Sequence, residues 1–281
     1  MLSSTAPEAN PRMLADENAP ALAPGRGGGD ARAFSAGLER LRRAIEHGLF
    51  VLHFQPIVSV SERRVCHYEA LLRLADRPDG RLTAPGRFLP AAERYGLIGD
   101  IDRLVLERVL ALLAGDPNLR IAVNVSALSV TDATLLAHVQ HRLRRHGVEP
   151  SRLMIELTET AAISDMASAR EFCLGVLTLG CGLALDDFGA GFGSLQYLKH
   201  LPFSHLKIDG EFIRGLPASR IDQMLVSAVA DVVRSMGAKT VAECVGDEAT
   251  MELLHGFGVD YAQGFALGRP EARLPAGAEV A

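Results

Sequence analysis

The chain has 281 residues, 48% of them apolar, which suffices for one large core or two modest ones. Its 29 basic and 34 acidic residues leave a net charge of −5, and no basic run interleaves with aromatics, so a nucleic-acid polymer is excluded as partner. Tryptophan is absent and aromatics reach only 5%, which argues against a base-stacking platform; a small anion remains open where local positive charge exists.

Residues 1–33 are rich in Ala, Pro, Gly and Asn and end in "PGRGGGDAR"; the composition predicts a disordered tail. The start lacks a basic stretch followed by an apolar one, so no signal peptide is expected. A folded domain is expected over 34–273, with a short second tail at 274–281. It opens with helical periodicity in "FSAGLERLRRAIEHG", where Phe34, Leu38, Leu41 and Ile45 recur every three or four residues. Strand-like runs follow at 49–59 and 64–74, separated only by a short turn, which predicts an antiparallel hairpin. Further strand-like runs lie at 120–127, 153–159, 182–189, 205–213, 239–245 and 261–268. Amphipathic helical segments alternate with them at 100–115, 133–147, 167–180, 193–201, 221–237 and 248–258, several ending in glycine.

Eight strands with helices between them fit an α/β fold, a modified (β/α)8 TIM barrel whose first strand is antiparallel. An open doubly wound sheet fits less well, because the first βα turn has no phosphate-binding glycine fingerprint. Every apolar run is broken by charge well short of the ~18 residues a spanning helix needs, so no membrane partner is expected. Cys66, Cys173, Cys181 and Cys244 have no paired spacing and read as reduced thiols, in keeping with a cytoplasmic protein.

In a barrel the strand C-termini converge on one face. Asn124, Glu156, Asp186 with Asp187, Lys207, Glu243 and Gln263 all fall near such ends, and the second run carries Glu69 and Arg73. A lone strand-end carboxylate usually caps a helix or faces solvent. Seven strands aiming polar residues at one mouth favour a single site instead. Glu69, Asn124, Glu156, Asp186, Asp187 and Glu243 supply only oxygen, which suits Mg²⁺ or Mn²⁺ rather than zinc or copper. Five carboxylates exceed what one divalent ion neutralises, so two ions with one bridging aspartate are expected. Strand alternation would send Asp186 and Asp187 to opposite faces, so Asp187 reaches the mouth only if the strand ends there, at the turn beginning with Gly189. Lys207, between Leu206 and Ile208, has two readings: a partner for Asp209 on its own face, or a holder of attacking water. His138, His141 and His146 share a helix, lack an i, i+4 pair and are not expected to bind metal.

The stretches "HFQPIV" (53–58), "YEALLRL" (68–74), "NVS" (124–126), "ELTE" (156–159), "DDFGAG" (186–191), "LKID" (206–209), "AECV" (242–245) and "AQGF" (262–265) occur in the order and spacing of the EAL domain. The resemblance covers about residues 36–272. It implies hydrolysis of the bacterial second messenger cyclic di-GMP to linear pGpG, with two Mg²⁺ or Mn²⁺ ions. It implies Glu69, Asn124, Glu156 and Asp186 as ligands of one ion, and bridging Asp186 with Asp187 and Glu243 around the other. Lys207 would position the nucleophilic water and Gln263 would support the site. Arg73 and Gln55 would contact the substrate, Asp209 would be a supporting acid, and Glu159 would anchor the loop after Asp187 and its dimer contact. The pattern departs from the family at Gly246, where glutamate is usual, and at Ala190 and Gly193. A homodimer and a regulatory protein partner are compatible with the resemblance. So is a catalytically silent domain that binds the nucleotide, although such members usually lose metal ligands and this chain keeps all six.

Overall fold

The structure, a computed structural model, describes residues 30–77, 79–158, 165–189 and 198–274. Helix α1 (Asp30–Glu46) begins ahead of the expected boundary at Phe34. Strands β1 (Phe50–Ser59) and β2 (Val65–Leu74) form the expected antiparallel hairpin, with Gln55 opposite Glu69. A short helix α2 (Leu89–Arg94) and the long α3 (Ile98–Gly115) lead to β3 (Ile121–Asn124). Then come α4 (Ala127–Val130), α5 (Ala133–His146), β4 (Leu153–Thr158), α6 (Met166–Thr178) and β5 (Gly182–Phe188). The chain continues through β6 (His205–Ile208), α7 (Gly210–Ile213), α8 (Arg220–Ser235), β7 (Lys239–Ala242), α9 (Glu248–Phe257) and β8 (Tyr261–Ala262).

The eight strands close in sequence order into a barrel. β2 through β8 pair in parallel, while β1 runs antiparallel to both of its neighbours, β2 and β8. The core lies between barrel and helices. α3 presents Ile101, Val105, Leu106, Val109, Leu110 and Leu113 at helical spacing to bury them against the sheet. Truncating such a side chain, Leu110→Ala for instance, removes about 2–5 kcal/mol.

Helix ends follow their local chemistry. Asp132 caps α5 by accepting from Thr134 N at 2.8 Å, and Gly147 closes it in the left-handed region. Asp247 does the same for α9 through Thr250 N, also at 2.8 Å. His146 packs back on α3, with Nε2 3.1 Å from Glu107 Oε1, which gives it a structural partner.

Four strand expectations are corrected. The run 120–127 ends at Asn124, because Ser126 caps α4 by accepting from Leu128 N at 3.3 Å. The run 205–213 stays extended only to Ile208, because Asp209 caps α7 by accepting from Glu211 N at 2.6 Å. The run 239–245 ends at Ala242, after which Cys244 turns left-handed. The run 261–268 ends at Ala262, since Gly264 presses on Val245: an added Cβ would sit 2.1 Å from Val245 O. Helices α2 and α4 were not expected; both are too short to show periodicity. No helix among the described residues is long and apolar enough to cross a membrane.

Candidate active site

The upper mouth gathers most of the expected residues around one ammonium group. Lys207 is 1% exposed. Its Nζ lies 2.8 Å from Glu243 Oε1, 3.0 Å from Asp186 Oδ1, 3.1 Å from Glu156 Oε2 and 3.5 Å from Glu69 Oε2. On β3, β4 and β5 an apolar run buried against the helices alternates with inward-facing positions that lead to Asn124, Glu156 and Asp186, whereas Glu69 sits in the middle of β2. Asp209 is not among the lysine's partners; it is spent on the cap of α7, so the pairing reading of Lys207 fails.

Glu69 is oriented by amides. Glu69 Oε1 accepts from Asn124 Nδ2 at 2.7 Å and Glu69 Oε2 from Gln263 Nε2, also at 2.7 Å. Gln263 Nε2 also reaches Gln55 Oε1 at 3.2 Å, and Gln55 Nε2 donates to Gly268 O at 3.1 Å. Gln55 and Gln263 thus brace Glu69 from the antiparallel strand and from the end of β8.

Asp187 joins the mouth by a route different from the expected strand end. β5 continues through it to Phe188, and the register with β6 slips: Leu185 pairs with Leu206 and Phe188 with Ile208, so Asp186 and Asp187 together oppose Lys207. This is a β-bulge. Asp187 sits in it with φ +57°, a left-handed conformation that aspartate tolerates better than most residues, and its N–H donates to Asp186 Oδ1 at 2.9 Å. Gly189 follows with φ +100°, where an added Cβ would strike the Phe212 ring at 2.1 Å.

Other placements are plainer. Leu71 lines the mouth on β2, whereas Arg73 stands one alternation step further out, its Nη1 on Leu72 O at 2.8 Å. Glu159, Ala190 and Gly193 lie outside the described residues. The cavity above the cluster measures about 490 Å³ and is also lined by Arg214, Cys244 and Phe265, which sequence reasoning passed over. Arg214 arrives because α7 turns the chain back after β6, and its Nη2 lies 3.3 Å from Cys244 Sγ. Gly246 borders the same cavity, and an added Cβ there would meet nothing within 4 Å.

Cys244 holds φ +56°, a cost of about 1–2 kcal/mol for a residue with a Cβ. Glycine escapes that cost but loses about 0.5–1 kcal/mol of unfolded-state entropy. Cys244→Gly is therefore expected to stabilise the chain by about 0.5–1 kcal/mol in a urea titration; destabilisation would show that the thiol's contact with Arg214 outweighs the backbone.

Electrostatics leave the cluster short of positive charge. Four carboxylates face one ammonium, a surplus of three negative charges if all are ionised. Burial disfavours the charge on Lys207, but the carboxylates, Asp186 foremost, outweigh it and hold its pKa well above the usual lysine range. Burial likewise pushes Glu69 up, but Lys207 and the donors on Gln263 and Asn124 hold it below its ordinary value. Glu156 goes the other way: burial raises it well above the carboxylate range, against the pull of Lys207. Glu243 is pushed up to about 7 by burial, opposed by Lys207 and reinforced by Asp186.

The residues present fit hard cations. Glu156 Oε1 is buried without a hydrogen-bond partner, an oxygen with nothing yet to bind. Glu69, Glu156 and Asp186 can bring one oxygen each within 4.8 Å of one another, and so can Asp186, Asp187 and Glu243. Asp186 belongs to both groups. All six donors are oxygen once Asn124, its Nδ2 engaged by Glu69, offers its carbonyl end.

This chain matches the family described as the EAL domain over residues 38–270. It belongs to the EAL domain family. Among the curated relatives of this EAL domain, the bifunctional diguanylate cyclase/cyclic di-GMP phosphodiesterase MucR of Pseudomonas aeruginosa is 42% identical over 238 residues, covering 83% of the chain and 35% of MucR. The cyclic di-GMP phosphodiesterase PdeF of Escherichia coli is 35% identical over 238 residues, 83% of the chain and 32% of PdeF. The chain therefore spans about a third of the length of these relatives. Among solved structures, the phosphodiesterase of PaMucR in complex with c-di-GMP superposes with TM-score 0.78 at 41% identity, covering 84% of this chain and 97% of that one. The EAL domain of FimX from Pseudomonas aeruginosa bound to c-di-GMP gives TM-score 0.78 at 30% identity, with coverages of 84% and 97%. The EAL domain here shares with them the closed barrel on which the acidic mouth is built.

Proposed function

We propose that this EAL domain hydrolyses cyclic di-GMP to linear pGpG, using two divalent cations, Mg²⁺ or Mn²⁺, held at the upper mouth. One observation carries the reading: two groups of carboxylates share Asp186 beside an unpartnered Glu156 oxygen, all within a cluster that has too little positive charge. Glu69, Asn124, Glu156 and Asp186 would hold one ion, and Asp186, Asp187 and Glu243 the other. Bound there, the ions would lower the pKa of water and offset the charge of the phosphodiester.

The chain's own residues do the rest. Lys207 holds the attacking water by donating from Nζ and stays protonated among its carboxylates. Gln55 and Gln263 keep Glu69 facing inward. Arg73, at the outer step of β2, takes a substrate phosphate, and Asp209 supports the mouth from the α7 cap. The membership of the family and the likeness to a phosphodiesterase structure with c-di-GMP support the choice of substrate.

The deciding assay is pGpG release by the full chain in Mg²⁺ or Mn²⁺. Tight binding of cyclic di-GMP without turnover in saturating metal would replace hydrolysis with a receptor role. Calcium should fail to support turnover, because it prefers more ligands and longer bonds.

Metal should also register in stability, with a definite pH dependence. In the metal-free chain Glu243 has a folded pKa of about 7, above the unfolded value of 4.5. The native state then binds the extra proton, so metal-free stability declines as pH rises from the lower value through the upper. Mg²⁺ needs the ionised form. Its stabilisation, about 2–3 kcal/mol at a hundredfold excess over Kd, should be larger at pH 8 than at pH 6 by calorimetry. An equal gain at both pH values would remove Glu243 from the ligand set.

A further inference from the structure

The opposite mouth of the barrel is also hollow. A cavity of about 460 Å³ opens among the N-terminal ends of the parallel strands and the end of β1. Gly182, the first residue of β5, and Met154 line it side by side; a Cβ at Gly182 would meet the Met154 side chain at 3.2 Å. A barrel interior is ordinarily filled by stacked layers of bulky side chains. Here the layer next to the cavity is polar.

That layer consists of His67, His205 and Tyr261, each two residues before Glu69, Lys207 and Gln263 on its strand and so one step beneath them. The Tyr261 ring stacks on His205 at 5.8 Å between centroids and meets His67 edge-on at 5.6 Å. His205 Nδ1 is engaged by Ser204 Oγ at 2.9 Å. His67 is 6% exposed, lines the cavity, and its Nε2 is buried with no hydrogen-bond partner. A buried polar atom of this kind is rare and calls for a partner.

The rim is basic in an acidic protein. Lys239 Nζ donates to Tyr261 OH at 2.9 Å. Arg152 spends its guanidinium on backbone carbonyls, Nε on Leu119 O at 2.9 Å and Nη2 on Leu113 O at 2.5 Å. Arg120 stands exposed beside them at the foot of β3. Among the described residues none of these three cations has a carboxylate within 4.0 Å. The two acids of the rim are occupied: Glu62 Oε2 by Arg64 Nε at 2.6 Å, and Asp260 Oδ2 by Thr240 N at 2.9 Å. Ser59 and Ser61, their hydroxyls 3.3 Å apart, add donors at the same rim.

We propose that this lower mouth is a second ligand site, for a small phosphate-bearing anion, with Arg120, Arg152 and Lys239 supplying the charge and the Ser59 and Ser61 hydroxyls supplying hydrogen bonds at the rim. Three cations without a carboxylate partner, together with hydroxyl donors, suit a group carrying two or more negative charges. The site is independent of the acidic mouth, where such an anion would be repelled in the absence of metal.

The test uses the full chain in EDTA, so that the carboxylate mouth holds no cation, and pyrophosphate as probe. Saturable binding by calorimetry is expected, with the ring-proton resonances of His67 and His205 moving along the same curve. Arg120→Glu, an exposed change, should weaken binding at least tenfold, and Lys239→Ala should do so as well. Unliganded melting temperatures verify that both variants fold. No saturable binding at millimolar pyrophosphate, unmoved histidine resonances, or unchanged affinity in a folded Arg120→Glu variant would each overturn the site. Equal binding of citrate would overturn its assignment to phosphate.

Discussion

Glu69→Gln is expected to lower turnover of cyclic di-GMP on the order of 10³-fold while the chain stays folded. The substitution is nearly isosteric but removes one negative charge from a crowded mouth. It also replaces an acceptor that serves two amides: Asn124 Nδ2 and Gln263 Nε2 both donate to Glu69, each at 2.7 Å. A glutamine can face its carbonyl to only one of them. The lost hydrogen bond costs about 1–3 kcal/mol, and relief of carboxylate repulsion offsets part of it, so the net change in metal-free stability should be small. Activity and stability thus separate, which a merely structural role for Glu69 would not allow. Steady-state pGpG release across a Mg²⁺ titration, with a thermal melt of the same sample, checks both halves. A variant that saturates with Mg²⁺ at the parent's concentration and retains the parent's rate would show that Glu69 is no ligand.

The barrel was legible in the sequence because its signal is redundant. Apolar runs, helical spacing and helix-ending glycines such as Gly147 and Gly258 agree over most of the chain. The mouth was legible for a related reason. One polar residue near a strand's end, as Glu156 on β4, usually caps a helix or faces solvent, but seven strands that each carry one toward the same end point to a shared mouth. What escaped notice depends on register and on the turns between elements. Asp186 and Asp187 share a face only through a bulge, and pairing slips of that kind are settled by the partner strand, here β6, which the local sequence does not reveal. Arg214 was hidden because "IDGEFI" reads as extended until the Asp209 cap competes for it. The lower mouth is not legible in the sequence, because no motif marks the residues that begin the strands as neighbours. His67 and His205 appear in the sequence as ordinary strand residues, and only closure sets them against Tyr261.

Lys207→Met should destabilise the metal-free chain by about 3–5 kcal/mol, the cost of leaving buried charges without their counter-ion. The four carboxylates within 3.5 Å of Nζ would then have no cation at all, and each would be pushed toward its protonated form. Folded carboxyl pKa values raised in this way make stability fall as pH climbs above the unfolded value. The loss should therefore be large at pH 8 and slight near pH 5. Divalent ions can replace the missing positive charge, so Mg²⁺ should recover much of the melting temperature. Turnover should not return with it, because a methionine has no proton to donate to the attacking water; a deficit of about 10²–10³-fold is expected to persist in saturating metal. The two recoveries separate the lysine's two duties. If Mg²⁺ restores stability and rate together, Lys207 is only a counter-ion, and the water must be held by another group. If it restores stability alone, the ammonium acts on the reaction itself, as its place at the centre of the carboxylate ring implies.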